Sequence, residues 1–190
     1  VPNLTDPQPE SAAETDATTN SFAIRTLVTI AERRKGVDAA RCRLALLHFE
    51  SATLLHRTLR RALVRHKLSD LQFAVLVILF STEPEPLSAS VLAEHACVSR
   101  SAMTEAIEKL VGLQYLSRTR DEYDRRVTYV RITPLGQETV DRAINDYLRA
   151  AEEAMRDLRP AAQRALLSAY LELLRVLSRS DADPVSDAKL

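Results

Sequence analysis

The sequence predicts a mainly α fold with a small β-hairpin wing: a winged helix-turn-helix set between long N- and C-terminal dimerisation helices. Three observations carry that prediction. Two short helical patterns flank a tight turn between Ser88 and Leu113, a charged hairpin follows them directly, and long amphipathic stretches lie on either side. Ser99 is a good N-cap residue before a run in which Ala102, Met103, Ala106, Ile107, Leu110 and Leu113 recur at three- and four-residue spacing, so one face is buried. The other face carries Ser99, Arg100, Ser101, Thr104, Glu105, Glu108 and Lys109, hydroxyls and charges that reach base edges and phosphates when such a helix lies in a major groove. The shorter helix before it, Ser88 to Ala96, packs through Val91, Leu92, Ala93 and Ala96. A plain amphipathic helical hairpin has the same periodicity, and the segment that follows favours the DNA-facing reading.

Leu116–Arg120 and Val127–Ile132 are runs of strand-forming residues separated by the charged turn Asp121–Arg126. Arg118, Arg120, Arg125 and Arg126 crowd this hairpin, which can place a guanidinium in a narrow, electronegative minor groove, with Asp124 orienting the arginines. The alternative is a solvated charged hairpin.

In this combination the chain resembles the multiple-antibiotic-resistance regulator (MarR) family. The resemblance is carried by Leu92-Ala93, Val98-Ser99-Arg100-Ser101, Thr104, Arg118, the tip Asp121–Arg126, and Thr133-Pro134-Leu135-Gly136, and with the flanking helices it covers about residues 38–178. It implies a homodimer whose terminal helices interlock and space two recognition helices over a pseudo-palindromic operator in double-stranded DNA. Residue reading and resemblance together give the DNA-contact set Ser99, Arg100, Ser101, Thr104, Lys109, Arg118, Arg120, Asp124, Arg125 and Arg126. The resemblance also places a small-molecule effector pocket between the dimerisation helices and the DNA-binding lobe, where His48, Phe49 and Phe73 are lining candidates; core packing is the other role for Phe73.

The chain departs from the family twice, with Cys97 in the turn before Val98 and Gln114 after the recognition helix, where glycine is usual. A left-handed conformation costs a non-glycine residue roughly 1 kcal/mol, so both turns are expected to be reshaped, with Gly112 ending the helix early.

Composition fits a helical protein: of 190 residues 46% are apolar, three are glycine and none is tryptophan. No apolar run is long enough to span a bilayer, and the N-terminus has no signal-peptide pattern, so a cytoplasmic protein without membrane contact is expected. The formal net charge of zero conceals an asymmetry. Residues 1–20 hold four carboxylates and no cation, and residues 181–190 three aspartates and one lysine, which leaves +6 on the body between them. Glu94, Glu105 and Glu108 in the helix pair should weaken indiscriminate phosphate binding. Glu105 can accept from a cytosine amine or pair with Lys109 at i+4.

Along the chain, residues 1–20 read as a disordered acidic tail and 21–36 as a short extra helix stopped near Gly36. Residues 38–66 and 134–178 are the dimerisation helices, 68–133 the winged helix-turn-helix, and 181–190 a flexible acidic tail. Ser69 and Gln72 form a capping-box pattern before Phe73–Phe80, a helix apolar nearly all round and therefore central. The C-terminal helix repeats leucines over more than one face, apolar surface that a second copy would cover.

No phosphate loop, HExxH or paired metal-ligand motif is present, and His48, His56, His66 and His95 are scattered, so no enzyme activity, cofactor or metal is expected. His48 and His56 recur on nearly one side of a helix, as a weak metal pair or as surface histidines. Cys42 lies between Arg41 and Arg43, which would favour a thiolate; a buried small hydrophobe is the other reading, and for Cys97, in the turn, the readings are packing or an oxidation that shifts the recognition helix. The expected function is a sequence-specific transcriptional regulator, a repressor released by a small ligand. A winged-helix protein-interaction module, and a constitutive or redox-responsive DNA-binding regulator, are the alternatives.

Overall fold

The computed structural model describes residues 21–120 and 128–182. The acidic segments 1–20 and 183–190 and the wing tip 121–127, with Asp124, Arg125 and Arg126, lie outside the described residues. Helix α1 (Phe22–Arg33) starts at Ser21, whose side chain accepts from Ile24 N, and its Ile24 and Ala31 are buried. It lies along α2 (Ala39–Arg65), which Asp38 caps by accepting from Arg41 N. Ser69 and Gln72 form a reciprocal capping box (2.8 and 3.2 Å) that opens α3 (Asp70–Ser81). Val75, Leu76 and Leu79 of α3 are almost fully buried, which makes it the central helix of the lobe.

Strand β1 (Leu87–Ser88) leads into α4 (Ala89–His95), capped by Ser88, and then into α5 (Arg100–Gly112), capped by Ser99. Strands β2 (Leu116–Arg120) and β3 (Thr128–Ile132) form an antiparallel pair in which Leu116 faces Ile132, Arg118 faces Val130 and Arg120 faces Thr128. The sheet has a third strand, in the order β1-β3-β2, where the sequence suggested a hairpin alone. Two residues after a Pro-containing loop are too few to show alternation, so β1 left no pattern to read.

Thr133 caps α6 (Pro134–Met155), whose Val140 and Ala143 join α3, Leu92, Met103, Ile107, Leu110 and Val130 in one core. Helix α7 (Pro160–Ala182) follows, and none of its described side chains is buried: Leu167, Leu171, Leu174, Val176 and Leu177 are about half or more exposed. Among the described residues no helix is long and apolar enough to cross a membrane.

The two departures from glycine are not reshaped. Cys97 (φ 52°) and Gln114 (φ 62°) are both left-handed, as is Lys67 (φ 57°) after α2. Each sits in the same paired-carbonyl helix end: Cys97 N donates to Glu94 O and Val98 N to Ala93 O; Gln114 N donates to Val111 O and Tyr115 N to Leu110 O; Lys67 N donates to Val64 O and Leu68 N to Leu63 O. The next residue in every case is a hydrophobe that packs on the core, namely Leu68, Val98 or Tyr115. Packing of that hydrophobe offsets the backbone cost, so the turn geometry survives without glycine. Gly112 does not terminate α5 by a left-handed turn; Gln114 does.

Gly136 answers to a different constraint. A Cβ built there would collide with the carbonyl oxygen of Tyr115 and come within 2.9 Å of Ile132 Cγ1. Gly136→Ala should therefore destabilise the protein by about 1–3 kcal/mol, whereas Cys97→Gly and Gln114→Gly should each stabilise it by about 0.5–1 kcal/mol. Denaturant unfolding of the three variants gives both signs; stabilisation by Gly136→Ala would contradict the packing described.

Candidate nucleic-acid interface

The three-stranded sheet and α5 enclose an open cleft of about 460 Å³. Its polar walls are Ser88 and Ser90 at the start of α4, Thr104 on α5, and Arg118 and Thr128 on the wing; Ala89, Ile107 and Val130 make the rest. Strand register explains how Arg118 comes to be there. Directly opposed residues share a face, so Arg118 and Arg120 stand on the same side as Val130 and Ile132, the side that looks towards the helices. Arg131 alternates to the other face and donates to Pro84 O at 3.1 Å.

On α5, Arg100 and Thr104 lie one turn apart on the flank nearest the wing, and Ser101, Glu105 and Glu108 follow on the outward crest. The Ser99 hydroxyl is committed to the cap, accepting from Ala102 N at 3.3 Å, and it shares a hydrogen bond with Ser101 Oγ at 3.0 Å. Thr104 donates its hydroxyl proton to Arg100 O (2.9 Å), which leaves an acceptor lone pair and a methyl group on the helix surface. Such a pair suits a base amino group or a thymine methyl.

Lys109 stands about 140° around the helix from Thr104, beside a second depression lined by Ser69, Gln72 and Glu105, and is not part of the cleft. Its ammonium donates to Glu105 Oε1 at 2.7 Å, and this hydrogen bond, with the attraction between the charges, holds the Glu105 carboxyl below its ordinary value. Of the two roles open to Glu105, pairing is the one seen. Ser88, Ser90 and Thr128 were not picked out as site residues; Ser88 was read only as the start of the shorter helix, which it caps, and its contact with Ser90 Oγ (2.9 Å) needs the folded turn.

The three pocket candidates are not brought together. His48 packs against Tyr170 of α7 with ring centroids 5.4 Å apart, Phe73 against Tyr147 of α6 at 5.0 Å, and Phe49 lines a shallow groove beneath Ser21 and Ile24. A contact absent from the sequence reading joins two of the long helices: His66, just past α2, meets Asp146 of α6 at 2.9 Å and is largely buried. Eighty positions separate the two, and no local pattern signals it. Cys42 is half-buried and Cys97 exposed, both as free thiols. Among the described residues no group of three or more His, Cys, Asp or Glu could hold a metal.

With this geometry established, residues 68–128 match the model of the MarR family. The chain carries a MarR-family domain. That domain spans α3, the helix pair and the start of β3, the elements that build the cleft. Solved structures extend the likeness to the flanking helices. A MarR family transcriptional regulator of Streptomyces coelicolor, Sco3205, crystallised in complex with DNA, is 26% identical, with 76% of this chain and 92% of that one covered and a TM-score of 0.63. A MarR-like transcription regulator of Bacillus cereus is 24% identical (74% and 99% covered, TM-score 0.66), and AbsC of Streptomyces coelicolor 23% (77% and 99%, TM-score 0.64). The fold is that of the MarR winged-helix regulators. No curated protein matches the sequence.

The MarR domain's ion pair gives a titration test. Because the folded value of Glu105 is depressed, any stabilisation from the pair is present above the unfolded carboxylate range and is lost as pH falls through the lowered value. The exchange is confined to acid pH and is small, since both side chains are solvated. Side-chain NMR should show Glu105 titrating below the ordinary glutamate value, and Lys109→Ala should raise it.

Proposed function

We propose that this MarR-family regulator is a homodimer that binds a pseudo-palindromic operator in double-stranded DNA, acts in the cytoplasm as a repressor, and is released by a small-molecule effector. The observation that carries the reading is the cleft, in which strand register turns Arg118 towards the flank of α5 that holds Thr104. With the crest of α5 in a major groove, Arg100, Ser101 and Thr104 face base edges, and the wing follows the adjacent backbone into the minor groove. Arg120 continues that line, and Arg125 and Arg126 at the tip are its furthest extension along the chain. Ser88, Ser90 and Thr128 add hydroxyls suited to phosphate oxygens. Glu105 and Glu108 on the same crest repel phosphate, so affinity depends on a site whose bases compensate. Ser99 serves as the cap behind the contacts, and Lys109 is left to orient Glu105.

Dimerisation is supported by the apolar surface the single chain leaves in water. The half-exposed leucines of α7 are joined by Phe22 on α1 and Leu44 on α2, which are about three-quarters exposed. Two copies covering these faces hold two clefts at a fixed spacing. Release then needs only an effector that binds a non-matching spacing more tightly, a preference of about 1–3 kcal/mol. The Phe73–Tyr147 contact between lobe and long helix, and the His66–Asp146 contact between two long helices, are where that preference would be read. DNA is bound by a relative of similar architecture, Sco3205, which supports the same role here.

Selection of bound duplexes from a random pool tests this. A two-fold symmetric consensus is expected, and no enrichment, or a single asymmetric half-site, would contradict it. On the selected site, Arg118→Ala should weaken binding on all sequences and reduce the salt slope by about one phosphate. Thr104→Ala should instead change preference at one position, by about 1–3 kcal/mol.

A further inference from the structure

The C-terminal half of α2 carries a charge excess that the cleft does not use. From Ser51 to Ser69 the sequence holds Arg57, Arg60, Arg61, Arg65 and Lys67 and no carboxylate. All five are exposed, and among the described residues Arg57, Arg61 and Arg65 have no carboxylate within salt-bridge distance, while Arg60 reaches Asp70 only at 3.8 Å. Like charges one helical turn apart repel each other, so this stripe is costly when left alone.

The direction of α1 shows what lies nearest to it. Glu32, near the end of α1, pairs with Arg43 at 2.6 Å, whereas Ser21, at its start, donates its backbone N–H to Glu50. The helix therefore runs antiparallel to α2, and its N-terminus points down α2 towards the basic half. Ser21 shares a groove with Thr53, Leu54 and Arg57. Arg43, Glu50 and Arg57 repeat at seven-residue spacing and Arg61 follows four later, so the stripe continues the face that α1 occupies. Ser21, the first described residue, thus sits beside Arg57, on the line of the stripe.

That preceding segment is the acidic one, with Asp6, Glu10, Glu14 and Asp16 and no cation. We propose that residues 1–20 dock on the Arg57–Arg61–Arg65 face of α2 as an intramolecular counter-charge. Extended chain advances about 3.3 Å per residue, so Glu14 and Asp16 are about 7 Å apart, close to the about 6 Å between Arg57 and Arg61. Five residues from Ser21 to Asp16 span up to about 17 Å, enough to reach Arg57 and Arg61, and Glu10 then reaches Arg65. Bound this way, the segment keeps the stripe from holding the phosphates of arbitrary DNA and leaves affinity to the cleft.

The test is a nitroxide on Ser11→Cys in the full chain with Cys42→Ser and Cys97→Ser, read by broadening of amide signals without DNA. Broadening should concentrate on residues 57–67 and vanish in about 1 M salt, where the Debye length falls to about 3 Å. It should also vanish when Asp6, Glu10, Glu14 and Asp16 are replaced by Asn or Gln, and in Arg57→Gln, Arg61→Gln, Arg65→Gln. The neutral-tail chain should bind a non-specific duplex at least about threefold more tightly at low salt. Broadening spread evenly, centred on α5 or the wing, or insensitive to salt and to both sets of substitutions would overturn the proposal. So would a stripe protected only when duplex is added. Because the label is read without DNA, failure here is distinct from failure of the operator reading.

Discussion

The junction at Tyr115 sets the geometry of the lobe. Its carbonyl oxygen accepts the backbone N–H of Thr133 at 2.9 Å, the Thr133 hydroxyl donates to the neighbouring Gln114 O at 2.7 Å, and the same hydroxyl oxygen accepts from Gly136 N at 3.0 Å to start α6. The end of α5, the exit of the wing and the start of α6 are thereby fixed at one point. The close approach is possible because Gly136 has no side chain to strike the carbonyl. Pairing of Leu116 with Ile132 begins beside this point and propagates the register that faces Arg118 to the cleft. A shift of one residue in that register would turn Arg118 to the opposite face and bring Ser117 or Thr119 in.

The left-handed residues distribute the cost of this arrangement. Cys97 sets the angle between α4 and α5, and Gln114 the angle at which α5 hands over to the wing, so two strained positions bracket α5. Each is over-determined by paired carbonyls and by a hydrophobe pressed on the core. The helix is aimed by packing rather than by glycine, which makes its pose a property of the whole lobe.

What the sequence made legible follows from the range of the interactions involved. Caps at Ser99, Ser69 and Thr133, the buried face of α5 and the central place of α3 depend on spacings of three and four residues, and those are written in the chain. So was the Glu105–Lys109 pair, one turn apart. Strand β1, the His66–Asp146 contact and the grouping of Ser88, Ser90 and Thr128 with Thr104 depend on chain segments meeting from afar, and no local pattern encodes them. The left-handed Cys97 and Gln114 were misread because residue type alone disfavours that conformation, while the packing of Val98 and Tyr115 that sustains it is tertiary. His48, Phe49 and Phe73 were grouped by where the resemblance places a pocket, and in the single chain each meets a different neighbour.

Apolar side chains on α1, α2 and α7 remain in water in the single chain, and the proposed homodimer would cover them. Sedimentation of the chain alone, and then with a duplex bearing its selected site, tests this most directly. A dimer at micromolar concentration and two chains per duplex are expected. A well-folded monomer that binds the full site tightly at one chain per duplex would contradict it.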